Sequence, residues 1–190
     1  MPNYINDVVS AASLLRRASR VLVVGSSGAG KTTLSRAVAR ILGGEYFSID
    51  RDVRWLPNWR QRDQSEQYRI ITHIVAGDRW VLDGSNPSTF DIRLPRTDIV
   101  IWMRLPRMIC LAGVARRVMR NYGRVRSDMA EGCPEPLPNL EFLTYIWTFE
   151  KRHAPIFERN FDLYGPQVPI FQVKSRGEAR RLLDLMKTAP

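Results

Sequence analysis

Arg20-Val21-Leu22-Val23-Val24-Gly25-Ser26-Ser27-Gly28-Ala29-Gly30-Lys31-Thr32-Thr33-Leu34 is the stretch on which the fold turns. Residues 20–24 are apolar and β-branched up to Gly25, the mark of a short strand buried on both faces. From residue 30 to 42 the spacing changes: Leu34, Ala37, Val38 and Ile41 fall on one side of a helix, which Gly43-Gly44 ends. Between them Gly25 to Thr32 fits G-x-x-x-x-G-K-[ST]. Glycines there let the chain bend tightly and turn its N–H groups outward, and the helix N-terminus adds partial positive charge. The loop predicts a polyphosphate cradle formed by Gly25, Ser26, Ser27, Gly28, Ala29, Gly30, Lys31, Thr32 and Thr33. Lys31 reaches the β- and γ-phosphates of ATP, and the Thr32 hydroxyl holds Mg²⁺.

Working outward, further strands are predicted at about 45–49, 80–82, 98–103 and 168–173, alternating with helices. Asp63-Gln64-Ser65-Glu66 has capping-box spacing and opens the helix that runs to about residue 76. A helix starts at Pro106 and a closing helix covers 175–187, while residues 4–18 read as an amphipathic helix. The alternation predicts an α/β domain with a parallel sheet covered on both faces. Residues 123–139, with three prolines and two glycines, leave this pattern and read as an excursion from the sheet.

The chain has 190 residues, 44% apolar and 25% charged, which suits one globular domain and excludes disorder as its main state. No apolar run approaches the ~20 residues of a membrane helix, and the N-terminus lacks the pattern of a secretory signal. Two cysteines, Cys110 and Cys133, form no disulfide framework. Cytoplasmic residence is the expectation. The net charge is +10, and lysine occupies only positions 31, 151, 174 and 187. An arginine-rich chain suits phosphorylated ligands or nucleic acid, or reflects compositional bias.

A phosphate loop alone is shared by kinases, GTPases and transport or motor ATPases. No N-K-x-D guanine-reading segment is present, and the strand at 98–103 runs into Arg104-Leu105-Pro106 rather than adjacent acids. A small kinase fits best, because positioning and charge neutralisation carry most of phosphoryl transfer. Two acids follow other strands, Asp50 (with Asp52 nearby) and Asp83. Strand carboxyl ends form the ligand rim of an open parallel sheet. One acid therefore suits an acceptor hydroxyl and the other magnesium-coordinated water, unless each merely caps a turn. Arg116, Arg117 and Arg120 lie opposite an apolar stripe of Met108, Leu111, Ala112, Ala115, Val118, Met119 and Tyr122, and Arg124 and Arg126 carry the series into the excursion. They form either a flap that closes over the phosphates or a solvated helix face. Arg54, Trp55 and Trp59 line an acceptor pocket or plug it. The segment 140–149 is apolar nearly all round and reads as core. His73 and His153 lack a metal-site pattern, and Cys133 reads as a turn residue.

VLVVGSSGAGKTTLSRAVA, the Asp50 segment with Trp55, Pro57 and Trp59, GDRWVLDGSN, FDIRLPRTDIVIWMRLPR, RRVMRNYGRVRSDMAEGCPE, LEFLTYIWTF and VKSRGEARRLL together resemble the adenylate-kinase-like P-loop proteins labelled DNA topology modulation proteins. The likeness covers about residues 20–185. It implies a three-layer P-loop kinase fold with five parallel strands in the order 2-3-1-4-5 and a small arginine-rich lid at about 116–139. It implies that Asp83 serves the magnesium shell, which leaves Asp50 for the acceptor, and that Arg176 flanks the adenine. Adenylate kinases follow their Asp-Gly with phenylalanine, proline and arginine. Ser85-Asn86-Pro87 stands here, so Arg93 is the candidate replacement and AMP is not the expected acceptor. Residues 1–19 lie outside the likeness as a helical extension to the 20–190 domain, capping the fold or serving a dimer contact. The expectation is an ATP- and Mg²⁺-dependent phosphotransferase, monomer or homodimer, acting on a small nucleotide- or nucleoside-like molecule. The alternative is an ATP-switched nucleic-acid-binding regulator.

Overall fold

A computed structural model describes residues 1–188; the last two residues of the expected 20–190 domain lie outside the described residues. Its centre is a parallel sheet of six strands: β1 (Asn3–Ile5), β2 (Arg20–Gly25), β3 (Glu45–Ser48), then β6 (Trp80–Asp83), β7 (Ile99–Met103) and β8 (Pro169–Val173), in the spatial order β1-β8-β7-β2-β6-β3. Two-residue strands β4 (Trp55–Leu56) and β5 (Arg60–Gln61) form a separate antiparallel hairpin. The five strands read from the sequence hold the expected relative order, and the count of five is corrected to six. Asn3 and Ile5 pair with Pro169 and Phe171, so what reads as one helix over 4–18 is an edge strand followed by α1 (Val8–Arg17). Asp7 causes the break. Its carboxylate accepts from the N–H groups of Val9 and Ser10, both at 2.9 Å, and so starts the helix at Val8, four residues after Tyr4.

Alternation along the strands builds two cores. Val21 and Val23 face α1, α2 (Lys31–Leu42), α5 (Arg107–Asn121) and α8 (Arg176–Lys187), through Leu15, Val38, Val114 and Leu182. Leu22 and Val24 face α3 (Gln64–Ala76), the short α4 (Phe90–Arg93) and α7 (Ala154–Tyr164), through Ile71, Phe90, Phe157 and Phe161. The helix α6 (Leu140–Arg152) sits at the junction: Ile146 packs in the first core and Phe149 in the second. Side chains of β2 and β7 from Val21 to Val24 and Ile99 to Trp102 are wholly buried, as parallel strands under two helix layers must be.

Two expected apolar faces differ from the structure. On α5 the buried residues are Cys110 and Val114, whereas Met108, Met119 and Tyr122 of the expected stripe are exposed. The excursion meets this helix through the Arg117–Glu135 pair and leaves the Met108, Met119 and Tyr122 side chains exposed. Likewise α6 is not core all round: Leu140 and Trp147 are exposed, and Arg107 stacks on the Trp147 ring at 3.8 Å.

Candidate active site

The phosphate loop joins β2 to α2. Gly25, Gly28 and Gly30 have φ of 139°, 78° and 95°, which side chains rarely tolerate. A Cβ on Gly28 would meet the Cys110 carbonyl oxygen at 2.1 Å, and one on Gly113 would meet the Gly28 oxygen at 2.1 Å, so the loop rests directly on the α5 backbone. Gly30 by contrast opens onto free space. No side chain caps α2, leaving its first N–H groups turned toward that space, where an anion fits. Lys31 Nζ donates to the Ser26 carbonyl at 3.0 Å, folded over the cradle.

At the end of β6, Asp83 is almost completely buried. Its Oδ2 accepts from Thr32 Oγ1 at 2.6 Å and from the Tyr46 hydroxyl at 3.2 Å. Its Oδ1 is buried with no partner. Burial pushes the Asp83 carboxyl above its ordinary pKa, against the pull of Lys31, and burial with the Asp83 charge raises that of Tyr46. An orphaned carboxylate oxygen beside a threonine hydroxyl is an oxygen-only donor set, which suits Mg²⁺ rather than a soft metal. Thr32 and Asp83 are the residues that fit it. No group of three His, Cys, Asp or Glu side chains forms a metal cage among the described residues.

The loop opens on a cleft of about 980 Å³ that includes Lys31, Asp50, Arg54, Trp55, Gln67 and Tyr145 in its lining. Asp50 is exposed to this space from a single π-turn, Ile49–Arg54, which follows β3. Asp52 instead accepts from Ser48 N at 2.7 Å and pairs with Arg51, a turn-fixing role. Burial lifts the Tyr145 pKa to about 12. Arg54 lies over the Trp55 ring at 5.2 Å. Trp55 and Trp59 meet edge to face at 5.2 Å and pack on Met129, Ala130 and Cys133 of the excursion. They are both wall and plug. The Trp59 N–H donates to Cys133 Sγ at 3.1 Å, and Asn58 N donates to the Glu131 carbonyl at 3.3 Å. The excursion and the hairpin thus form one roof.

The expected arginine cluster divides. Arg117 and Arg126 line the cleft and share Glu135, which is 4% exposed: Arg117 Nε donates to one oxygen at 2.7 Å, and Arg126 Nε lies 2.7 Å from the other in a bent ion pair. Arg126 Nη1 also donates to Asp128 at 2.7 Å. Arg116, Arg120 and Arg124 are exposed, with no side-chain partner among the described residues. Arg93 lies outside the cleft lining. It is fully buried beneath the loop after β6, donating to the carbonyls of Gly84 (2.8 Å), Ser85, Asn86 (2.6 Å) and Thr89 (3.4 Å), and it sits 4.6 Å from the Phe90 ring centroid. Burial pulls its pKa down to about 9, so it remains a cation at neutral pH. Arg176, at the start of α8, reaches the Ile109 carbonyl at 3.5 Å on the α5 side of the loop.

Several site residues carry no readable signal alone. The Ser85 hydroxyl accepts from the Gly25 N–H at 3.1 Å and donates to the Gly25 carbonyl at 2.9 Å. Tyr46, Gly113, Asp128 and Glu135 become visible only when distant segments meet. Asp128 and Glu135 do fall inside the quoted 116–135 stretch.

The sheet order, the phosphate loop and the covering helices define the P-loop kinase fold. Among solved structures, shikimate kinase from Acinetobacter baumannii in complex with shikimate overlays with a TM-score of 0.55 at 18% identity, covering 91% of this chain and 93% of the other. Shikimate kinase from Bacteroides thetaiotaomicron gives 0.51 at 18% identity over 88% and 95%. Deoxyadenosine kinase from M. mycoides with bound dCTP gives 0.47 at 15% identity over 88% and 96%. The two shikimate kinase overlays establish the fold. No protein-family model matches the chain, and no curated protein matches it in sequence. No helix among the described residues is long and apolar enough to cross a membrane.

Proposed function

We propose that this chain is an ATP- and Mg²⁺-dependent phosphotransferase that acts on a small acceptor held in the roofed cleft. One observation carries the reading: the phosphate cradle and Lys31 open into the same cleft that Asp50 lines. In this reading the amides of Gly28 to Thr33 grip the polyphosphate, and Lys31 leaves the Ser26 carbonyl to meet the γ-phosphoryl group. Thr32 and Asp83 hold magnesium, which when bound neutralises the polyphosphate charge. Asp50 takes the acceptor hydroxyl proton as that oxygen bonds to the γ-phosphorus and the bond to the β–γ bridging oxygen breaks, releasing ADP. Arg117 and Arg126, held by Glu135, stabilise the charge on the moving group, with Arg116, Arg120 and Arg124 reserved for lid closure. Arg54 and Trp55 contact the acceptor, Arg176 flanks the nucleobase, and Arg93 shapes the loop after β6 instead of binding phosphate. A nucleotide or nucleoside suits the aromatic and amide lining. The quoted motifs support placing the chain among the DNA topology modulation proteins, read as kinase-like proteins.

The test is an acceptor panel with γ-labelled ATP, comparing label on product with label released as phosphate. Lys31→Ala loses transfer by roughly 10²–10³-fold or more while melting at the wild-type temperature. Undiminished transfer in that variant overturns the reading.

A further inference from the structure

A second carboxylate stands at the metal position, and it arrives from the roof. Asp128 Oδ2 lies 3.5 Å from Thr32 Oγ1, the hydroxyl that is 2.6 Å from Asp83 Oδ2. Its side chain is 14% exposed and pairs with Arg126 at 2.7 Å. Its backbone is pinned, since Ser48 Oγ donates to the Asp128 carbonyl at 3.3 Å. Arg36 donates to Ser127 Oγ at 2.9 Å and Arg51 to the Ser127 carbonyl at 3.4 Å. The segment is therefore laid against α2 and β3 by three separate side chains. The unpartnered, buried Oδ1 of Asp83 belongs to the same cluster. Neighbouring oxygens around an octahedral Mg²⁺ lie about 3 Å apart, given metal–oxygen distances of about 2.0–2.1 Å. The observed separations of 2.6 and 3.5 Å straddle that value. Small opposite shifts seat an ion between the three groups.

Resting on the phosphate-site reading above, we infer that Asp128 is a third protein oxygen donor to the divalent cation, alongside Thr32 and Asp83. The cation thereby bolts the roof to the phosphate loop. The exchange also has a catalytic consequence. When Asp128 turns from Arg126 to the cation, Arg126 Nη1 is freed for a phosphate oxygen while Glu135 still holds the rest of its guanidinium.

Mn²⁺ is the probe, with free Mn²⁺ counted by electron paramagnetic resonance in the presence of ADP. Asp128→Asn weakens Mn²⁺ binding to the protein–ADP complex at least tenfold, and Asp128→Glu, which keeps an oxygen donor, recovers most of it. Glu135→Gln loosens Arg126 without removing a donor, and costs several-fold less than Asp128→Asn. Melting in EDTA establishes that each variant is folded. Mn²⁺ affinity within twofold of wild type in folded Asp128→Asn overturns the inference, and so does an equal loss in Glu135→Gln, which would make Asp128 a roof tether. Failure of the wild-type protein to bind Mn²⁺ with ADP at all overturns the phosphate-site reading and this inference with it.

Discussion

Arg93 shows how a residue can be conspicuous in sequence and misread in role. An arginine ten residues after Asp83 looks like a phosphate ligand, yet its guanidinium is fully buried and directed at backbone carbonyls. Nothing local in the sequence signals this, because the acceptors lie in a loop whose shape depends on Arg93 itself. Gly84 within that loop has φ of 136°, and a Cβ there would meet Ile49 Cβ at 2.5 Å, so the turn is tight. Arg93→Leu leaves these carbonyls without donors and costs about 2–4 kcal/mol, read as a lower urea midpoint. Arg93→Lys keeps the charge but lacks the planar fork, and recovers less than half. Wild-type stability in the leucine variant would contradict this role. The placing of Asp83 and Thr32 on one rim is legible by contrast, because strand ends and the loop pattern carry their own positional meaning.

Elements with strong periodicity were legible: β2, the phosphate loop and α2 lie within a residue of their expected bounds. Shorter ones were not. A three-residue β1 and the two-residue strands β4 and β5 are below the length at which alternation can be told from chance. The face of α5 was misassigned because helical spacing shows that a stripe exists, not which neighbour covers it. Polar contacts at strand starts were likewise hidden. Asp98, just before β7, accepts from the N–H groups of Ser19 and Arg20 at 2.9 and 2.8 Å and pairs with the Arg20 side chain. Although burial opposes it, these contacts hold its carboxyl below the ordinary value. A depressed folded pKa means stabilisation that is present in full above the unfolded pKa of 3.8 and lost as pH falls through the folded value. Asp98→Asn therefore lowers the melting temperature by a constant amount at neutral pH, and the gap to wild type closes in acid. A gap that persists unchanged into strong acid would show that ionisation is not its source.

At the scale of the molecule, the order of the five sheet strands followed from the resemblance, whereas the roof did not. Nothing in the sequence links the Trp55–Trp59 pair to Cys133, because their union depends on contacts more than seventy residues apart. The union makes the hairpin and the excursion a single packed unit. Cys133 is wholly buried within it, and Cys110 is buried in the main core. Thiol labelling then reports roof opening: Trp59→Ala speeds modification of Cys133 about tenfold or more, as expected when the half-buried ring packed over that thiol is removed, with no change at Cys110. Equal acceleration at both sites would indicate general unfolding instead.

Strand β1 has a consequence for biosynthesis. Asn3 to Ile5 add to the sheet only alongside Pro169 to Phe171, and Arg16 donates to the Leu185 carbonyl at 2.8 Å. Residues 3–5 precede their docking strand by more than 160 residues, so they have no sheet partner until that strand has left the ribosome. The phosphate loop between β2 and α2 is complete in the chain well before that, and the docking of β1 is the step that closes the edge of β8.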